Sequence, residues 1–315
     1  MTVGVIDIGT NTVLLLVARI GNDGTLEPLA YEQRVPRLGQ GVDAHRVLRA
    51  ESIRRTIAVL KEYRSMMEAH AVDRTIVCGT SAVRDAANRE DFAGQVREAT
   101  GVALEVLSGH EEALWSFRGA VSGIPGIEAA TVLDIGGGST EITIGKGTEI
   151  SGRMSLNIGS VRITERLFRH DPPTDPELEA AVDWIEEEIA RAAHFPVAGT
   201  TLVGVAGTAT ALAVLAQGLS QFNVRAVTNY PISLDVVDAL FRQVSVMPSS
   251  KIRDLSEVME GRSDVITAGA LILRKIMLHL RFDRLLVSER GLRYGLAERE
   301  LQRQSRDERE ERRET

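Results

Sequence analysis

Two short segments of this 315-residue chain end an apolar run in an aspartate and follow it with small residues. The first is Val5-Ile6-Asp7-Ile8-Gly9-Thr10-Asn11-Thr12, and the second is Leu133-Asp134-Ile135-Gly136-Gly137-Gly138-Ser139-Thr140. A strand ending in such a turn can gather backbone N–H groups around one point, and glycine removes the Cβ that would keep an anion at a distance. The aspartate cannot bind phosphate directly, but it can hold a hydrated divalent cation that bridges to phosphate oxygens. One copy alone fits an ordinary strand-end turn equally well. The repeat favours a phosphate site, with Gly9, Thr10, Asn11 and Thr12 in one loop and Gly136, Gly137, Gly138 and Ser139 in the other, and Asp7 and Asp134 as metal-directed carboxylates.

Three further segments carry functional groups. In Gly204-Val205-Ala206-Gly207-Thr208, a strand turns into a helix whose first amides suit another phosphate at Gly207 and Thr208, or simply make a close turn. In Gly79-Thr80-Ser81-Ala82-Val83-Arg84, the hydroxyls of Thr80 and Ser81 can meet phosphate or cap a helix, and Arg84 offers planar paired donors to an anion. Ser108-Gly109-His110-Glu111 fits the S-x-x-E capping box, which occupies Glu111 and leaves Glu112 without a capping duty. A carboxylate there can orient and deprotonate a water, or be merely solvated.

Other signatures are missing. There is no G-x-x-x-x-G-K-[ST] and no G-x-G-x-x-G opening a helix, which excludes the P-loop and dinucleotide-binding readings. His170-Asp171 sits before Pro172-Pro173 without the partner ligands of a metal-dependent phosphohydrolase, so it reads as a loop. The other arginines, Arg37, Arg162 and Arg262 among them, are too scattered to assign by spacing.

These groups must be positioned by two similar α/β halves. In each, the aspartate-bearing strand forms a hairpin with the β-rich run after the loop, a third strand candidate follows, and helices and strands then alternate. The Pro/Gly cluster Ser122-Gly123-Ile124-Pro125-Gly126 separates them, giving expected domains 1–124 and 125–303 and a charge-dense tail 304–315 expected as a frayed helix end or disorder. A net charge of −7 and 4% aromatic residues argue against nucleic-acid binding. No run approaches the apolar length of a membrane span, and no leader pattern opens the chain, so the cytoplasm is expected. The single cysteine, Cys78, lies in an apolar run and is expected in the core.

With these motifs in hand, the chain resembles the exopolyphosphatase and guanosine pentaphosphate phosphohydrolase family from Gly4 to about Leu301. The resemblance is carried by Asp7 to Thr12, Gly79 to Ala86, Leu107 to Ala113 and Asp134 to Glu141. It implies two ribonuclease-H-like domains of the actin-like ATPase superfamily, shared with sugar kinases and heat-shock chaperones, with a cleft between them. It implies Glu112 as catalytic base, Glu141 beside Asp134 and Asp7 as a metal position, Mg2+ (alternatively Mn2+) as cofactor, and a homodimer. Longer relatives append a helical domain, and this chain resembles the short form. The implied substrate is inorganic polyphosphate, with guanosine penta- or tetraphosphate as the alternative ligands. Readings of another kind are an actin-like ATP-binding sensor or scaffold and a sugar or acetate kinase.

Overall fold

The computed structural model describes residues 1–21, 25–147, 149–191 and 197–314, which divide into two compact units. Unit 1 comprises Met1–Gly119 and Leu292–Thr315, and unit 2 comprises Ala120–Gly291. Unit 1 contains β1 (Thr2–Ile8), β2 (Val13–Ile20), β3 (Leu26–Arg34), α1 (Val42–His45), α2 (Ala50–Ala69), β4 (Arg74–Gly79), α3 (Ser81–Asp85), α4 (Arg89–Thr100) and β5 (Leu104–Val106). Helix α5 (Gly109–Ser122) carries the chain past Gly119. Unit 2 contains β6 (Ala129–Ile135), β7 (Thr140–Lys146), β8 (Glu149–Leu156), α6 (Ser160–Leu167), α7 (Asp175–Ala190), β9 (Thr201–Val205), α8 (Ala206–Ala216), α9 (Val224–Val227), β10 (Pro231–Ser233), α10 (Leu234–Ser245), α11 (Ser249–Arg253), α12 (Ile266–Leu280) and β11 (Arg284–Val287). Helix α13 (Leu292–Glu314) closes the chain.

The sheets share one plan. Unit 1 runs β3-β2-β1-β4-β5, and unit 2 runs β8-β7-β6-β9-β11 with β10 added at the edge. In both, the first three strands form an antiparallel meander and the next two lie parallel to its first strand. Each unit is thus a ribonuclease-H-like α/β domain of the actin-like class. Period-two patterning explains the strands: in β2, Leu15 and Val17 face one layer of the core while Leu16 and Ala18 face the other. Strands buried on both faces read as continuous apolar runs, as β1, β2 and β6 do.

The expected boundaries are corrected at the C-terminus. Helix α13 belongs to unit 1, because Leu292, Tyr294, Leu296 and Ala297 are buried with Val3, Val5, Leu16 and Ala18. Arg299 adds a bidentate pair to Glu105 (2.8 and 3.0 Å), and Arg293 donates to Leu15 C=O at 3.1 Å. Gly295 is needed there, since a Cβ would lie 1.9 Å from the Trp115 carbonyl oxygen. The charged run expected as frayed or disordered continues as helix to Glu314, which its strong helix-forming Glu and Arg content favours.

Candidate functional site

Parallel strands deliver their following loops to one edge of a sheet, where α/β folds place ligands. In unit 1, β1, β4 and β5 bring the 9–12 loop, the Thr80–Arg84 segment and Ser108–Glu112 to the same edge. Thr80 N–H donates to Ile8 C=O (3.2 Å) and Leu107 N–H to Gly79 C=O (2.9 Å), tying the three strand ends together.

The 9–12 loop is closed by Gly9 N–H donating to Thr12 C=O at 2.9 Å. Gly9 therefore spends its own donor on the turn, and its use is steric, because a Cβ would sit 3.1 Å from the Thr12 carbonyl oxygen. The carbonyls of Thr10 and Asn11 accept from Gly39 N–H (2.8 Å) and Arg37 N–H (3.1 Å). In a trans peptide the next N–H points the opposite way, so the amides of Asn11 and Thr12 are turned from that segment. The Thr10 and Ser81 hydroxyls are paired at 2.9 Å, and both are buried. Thr80 stands at the N-cap of α3 but makes no side-chain cap bond, so its capping alternative is not realised.

The capping box at Ser108 is formed. Glu111 Oε2 accepts from Ser108 N–H (2.9 Å) and from the Ser108 hydroxyl (2.8 Å), while Ser108 Oγ accepts from Glu111 N–H (3.2 Å). The bonds from the Ser108 backbone and hydroxyl hold the Glu111 carboxyl below its ordinary pKa. Glu112 instead is 8% exposed, and its Oε2 accepts from Arg84 Nη1 at 3.1 Å. The same Nη1 donates to Leu107 C=O at 2.7 Å. A buried carboxylate and a guanidinium are thereby presented together, one able to take a proton and the other to bind an anion. Cys78 is fully buried in β4, and burial pushes its thiol well above the usual range, which suits a core residue rather than a nucleophile.

Unit 2 repeats the turn. Gly136 N–H donates to Ser139 C=O at 3.0 Å, and a Cβ on Gly136 would lie 3.1 Å from that oxygen. Here the backing is α6, and Gly159 before it has no room for a Cβ, which would sit 2.4 Å from the Gly137 carbonyl oxygen. Asp134 and Glu141 stand directly opposite in the β6–β7 register, so their side chains leave the same face. Glu141 is 1% exposed and accepts from Ser155 Oγ at 2.7 Å. Among the described residues no three His, Cys, Asp or Glu side chains converge as metal ligands. Two carboxylates nevertheless fit Mg2+, which is commonly held by one or two, with water and phosphate oxygens completing its shell. Asp7 has Leu14 opposite it, so unit 1 lacks this cross-strand pair.

At the third predicted turn, Thr208 Oγ1 donates to Ile135 C=O (3.3 Å), joining α8 to the end of β6. The space above Gly207 is taken by Arg262, since a Cβ there would fall 2.1 Å from its Nη1. Gly207 thus admits a buried guanidinium. Gly39, Gly159, Arg162 and Arg262 were all missed as site-building residues by sequence reasoning; only a glycine shortly before a helix hinted at Gly159. The His170-Asp171 doublet is a loop, as expected. Asp171 accepts from Ser249 N–H (2.8 Å) and Oγ (2.6 Å), and His170 Nδ1 lies 2.9 Å from Glu177.

The model of the Ppx/GppA phosphatase family matches residues 16–304. The chain belongs to the Ppx/GppA phosphatase family. Exopolyphosphatase 2 of Mycobacterium tuberculosis is 36% identical over 94% of this chain and 97% of its own. The solved Ppx/GppA family member of Aquifex aeolicus is 32% identical, covers 96% of this chain and 98% of its own, and superposes with a TM-score of 0.82. A guanosine-5'-triphosphate,3'-diphosphate pyrophosphatase of Photobacterium profundum is 28% identical over 92% of this chain and 57% of its own. This Ppx/GppA member is therefore a phosphatase by family, with the family's fold along nearly its whole length.

Proposed function

We propose that this Ppx/GppA protein is an exopolyphosphatase, hydrolysing the terminal phosphoanhydride bond of inorganic polyphosphate. The observation that carries the reading is the division between two adjacent carboxylates: Glu111 is locked into the capping box, and Glu112 is buried beside Arg84. Glu112 takes a proton from water as the water oxygen bonds to the terminal phosphorus. The bridging P–O bond breaks, and the shortened chain leaves with that oxygen. Such transfer passes through a loose transition state in which positioning and charge stabilisation supply most of the rate. In unit 1 the amides of Asn11 and Thr12, Arg84 and the Thr10, Thr80 and Ser81 hydroxyls would bind phosphate oxygens, and in unit 2 the amides of Gly137, Gly138 and Ser139 would do the same. A phosphate that draws Arg84 away hands Glu112 Oε2 to the water, linking binding to base activation. Asp134 and Glu141 would hold Mg2+, or Mn2+, which when bound offsets phosphate charge; Asp7 is the corresponding strand-end carboxylate of unit 1.

Polyphosphate is favoured by the exopolyphosphatase relative that matches along nearly its whole length. The second reading, removal of a phosphate from guanosine pentaphosphate, is favoured by the Photobacterium relative. A homodimer acting in the cytoplasm is part of the proposal. Among the described residues no helix is long and apolar enough to cross a membrane. The test measures orthophosphate release by wild type and Glu112→Gln on polyphosphate and on guanosine pentaphosphate side by side. The variant should lose about 10²–10⁴-fold in turnover while its melting temperature and polyphosphate binding stay near wild type. Near wild-type release from it defeats the assignment of Glu112, and a faster wild-type rate on the nucleotide selects the second reading.

A further inference from the structure

Three carbonyls of the unit 2 loop, those of Gly136, Gly137 and Gly138, accept from the first turn of α6. Ser160 N–H donates to Gly136 C=O (3.0 Å), Val161 N–H and Arg162 N–H donate to Gly137 C=O (2.9 and 3.0 Å), and Arg162 Nε–H donates to Gly138 C=O (2.7 Å). Each trans peptide then turns its N–H the other way, so Gly137, Gly138 and Ser139 present consecutive donors on the side away from α6, the arrangement of an anion nest. Unit 1 turns its own loop with backbone groups, Gly39 N–H and Arg37 N–H. The last contact in unit 2 differs in kind. It comes from a guanidinium whose residue is only 9% exposed.

We propose that Arg162 is a positioning residue of this phosphate loop, acting through the Gly138–Ser139 peptide. The inference rests on the reading of the loop as a phosphate site. A charged donor on a carbonyl makes a shorter and stronger bond than a neutral one, and it polarises the peptide so that the N–H at its far end is a better donor. Arginine carries its charge on a planar, delocalised fork, so the donor that meets the carbonyl is both charged and rigidly aimed. Its place in the first turn of α6 makes the contact rigid, because Gly159 lets that turn sit directly on the loop backbone. Arg162 thus fixes the direction of the Ser139 N–H and strengthens it without touching the substrate.

The test compares full-length wild type with Arg162→Met, Arg162→Gln and Arg162→Lys. Methionine removes donor and charge, glutamine keeps a neutral donor, and lysine keeps the charge without the planar fork. Orthophosphate affinity is measured by calorimetry, kcat and KM by phosphate release from polyphosphate, the Ser139 amide by two-dimensional NMR, and stability by melting. Arg162→Met should lose up to about tenfold in orthophosphate affinity, part of the value of one hydrogen bond to a charged group because the Ser139 N–H to phosphate bond is weakened and not removed, and its Ser139 proton should move upfield. Glutamine and lysine should each recover part of both. A methionine variant with wild-type affinity and an unmoved Ser139 resonance overturns the proposal, even if it melts earlier, since that is a purely structural role. If methionine prevents folding, glutamine and lysine variants that both match wild type overturn it equally. A wild type that neither binds orthophosphate nor releases it from polyphosphate sinks the loop reading itself, whereas an active wild type with indifferent variants sinks Arg162 alone.

Discussion

The two glycine-rich loops share a turn and differ in nearly everything around it. In both, a glycine N–H closes onto the carbonyl of the residue three positions on, at 2.9 Å for Gly9 and 3.0 Å for Gly136. In both, a second glycine lets a backing segment approach: a Cβ on either Gly39 or Gly159 would lie 2.4 Å from the loop. Unit 1 then adds hydroxyls and the Arg84–Glu112 pair, with Leu14 opposite its aspartate. Unit 2 adds a carboxylate, Glu141, opposite its aspartate and a buried arginine behind the loop. The comparison teaches that one backbone turn recurs in both units while the side chains one step away differ in kind. On the proposed reading, proton transfer falls to unit 1 and cation binding to unit 2.

That division can be broken most sharply at the carboxylates. Asp134→Asn and Glu141→Gln should each raise the Mg2+ concentration needed for half-maximal phosphate release by about tenfold or more, the scale on which even outer-shell changes weaken metal sites. Asp7→Asn should raise it less; a metal titration in which Asp7→Asn shows the larger shift reverses the assignment.

The backing glycines come next. Gly159→Ala drives a Cβ into the Gly137 backbone and should cost about 1–3 kcal/mol together with phosphate affinity. Gly39→Ala makes its closest approach to the Thr10 side chain rather than to backbone, and should cost less. Chemical denaturation of the two variants gives the order directly.

The smallest effect sharpens the contrast between Glu111 and Glu112. Ser108→Ala should destabilise the protein by about 1 kcal/mol, the usual value of a lost N-cap. Because the folded Glu111 pKa lies below its unfolded value, its stabilisation is present above the unfolded pKa, near 4.5, and is lost as pH falls through the folded pKa. Melting curves of Glu111→Gln and wild type should therefore differ at neutral pH and converge in acid. A gap that persists there shows that the carboxylate charge is not what caps α5.

Much of this was legible in the chain because it is local. The capping box closes within three residues, and its Ser108 and Glu111 behave as read. The repeated Asp-x-Gly turns are likewise complete within a few residues, and so is the strand pairing that follows them. Arg84 and Glu112 were each singled out, but their pairing across 28 positions was not. Nothing near Arg162 marks it as the partner of Gly138, 24 positions away, and nothing in Gly207 announces that Arg262 fills the space above it.

The sequence by itself determined the duplicated strand–loop–strand units, the cap that separates Glu111 from Glu112, and the family to which they point. Those features depend on hydrogen bonds and alternation that close within a turn or a hairpin. Only the tertiary structure decided that α13 packs with the first unit, that Arg84 meets Glu112, and that a buried guanidinium stands behind one loop and a backbone segment behind the other. An apolar stripe states that a helix must be covered but not by which sheet, and an arginine's spacing does not say which carbonyl it will reach.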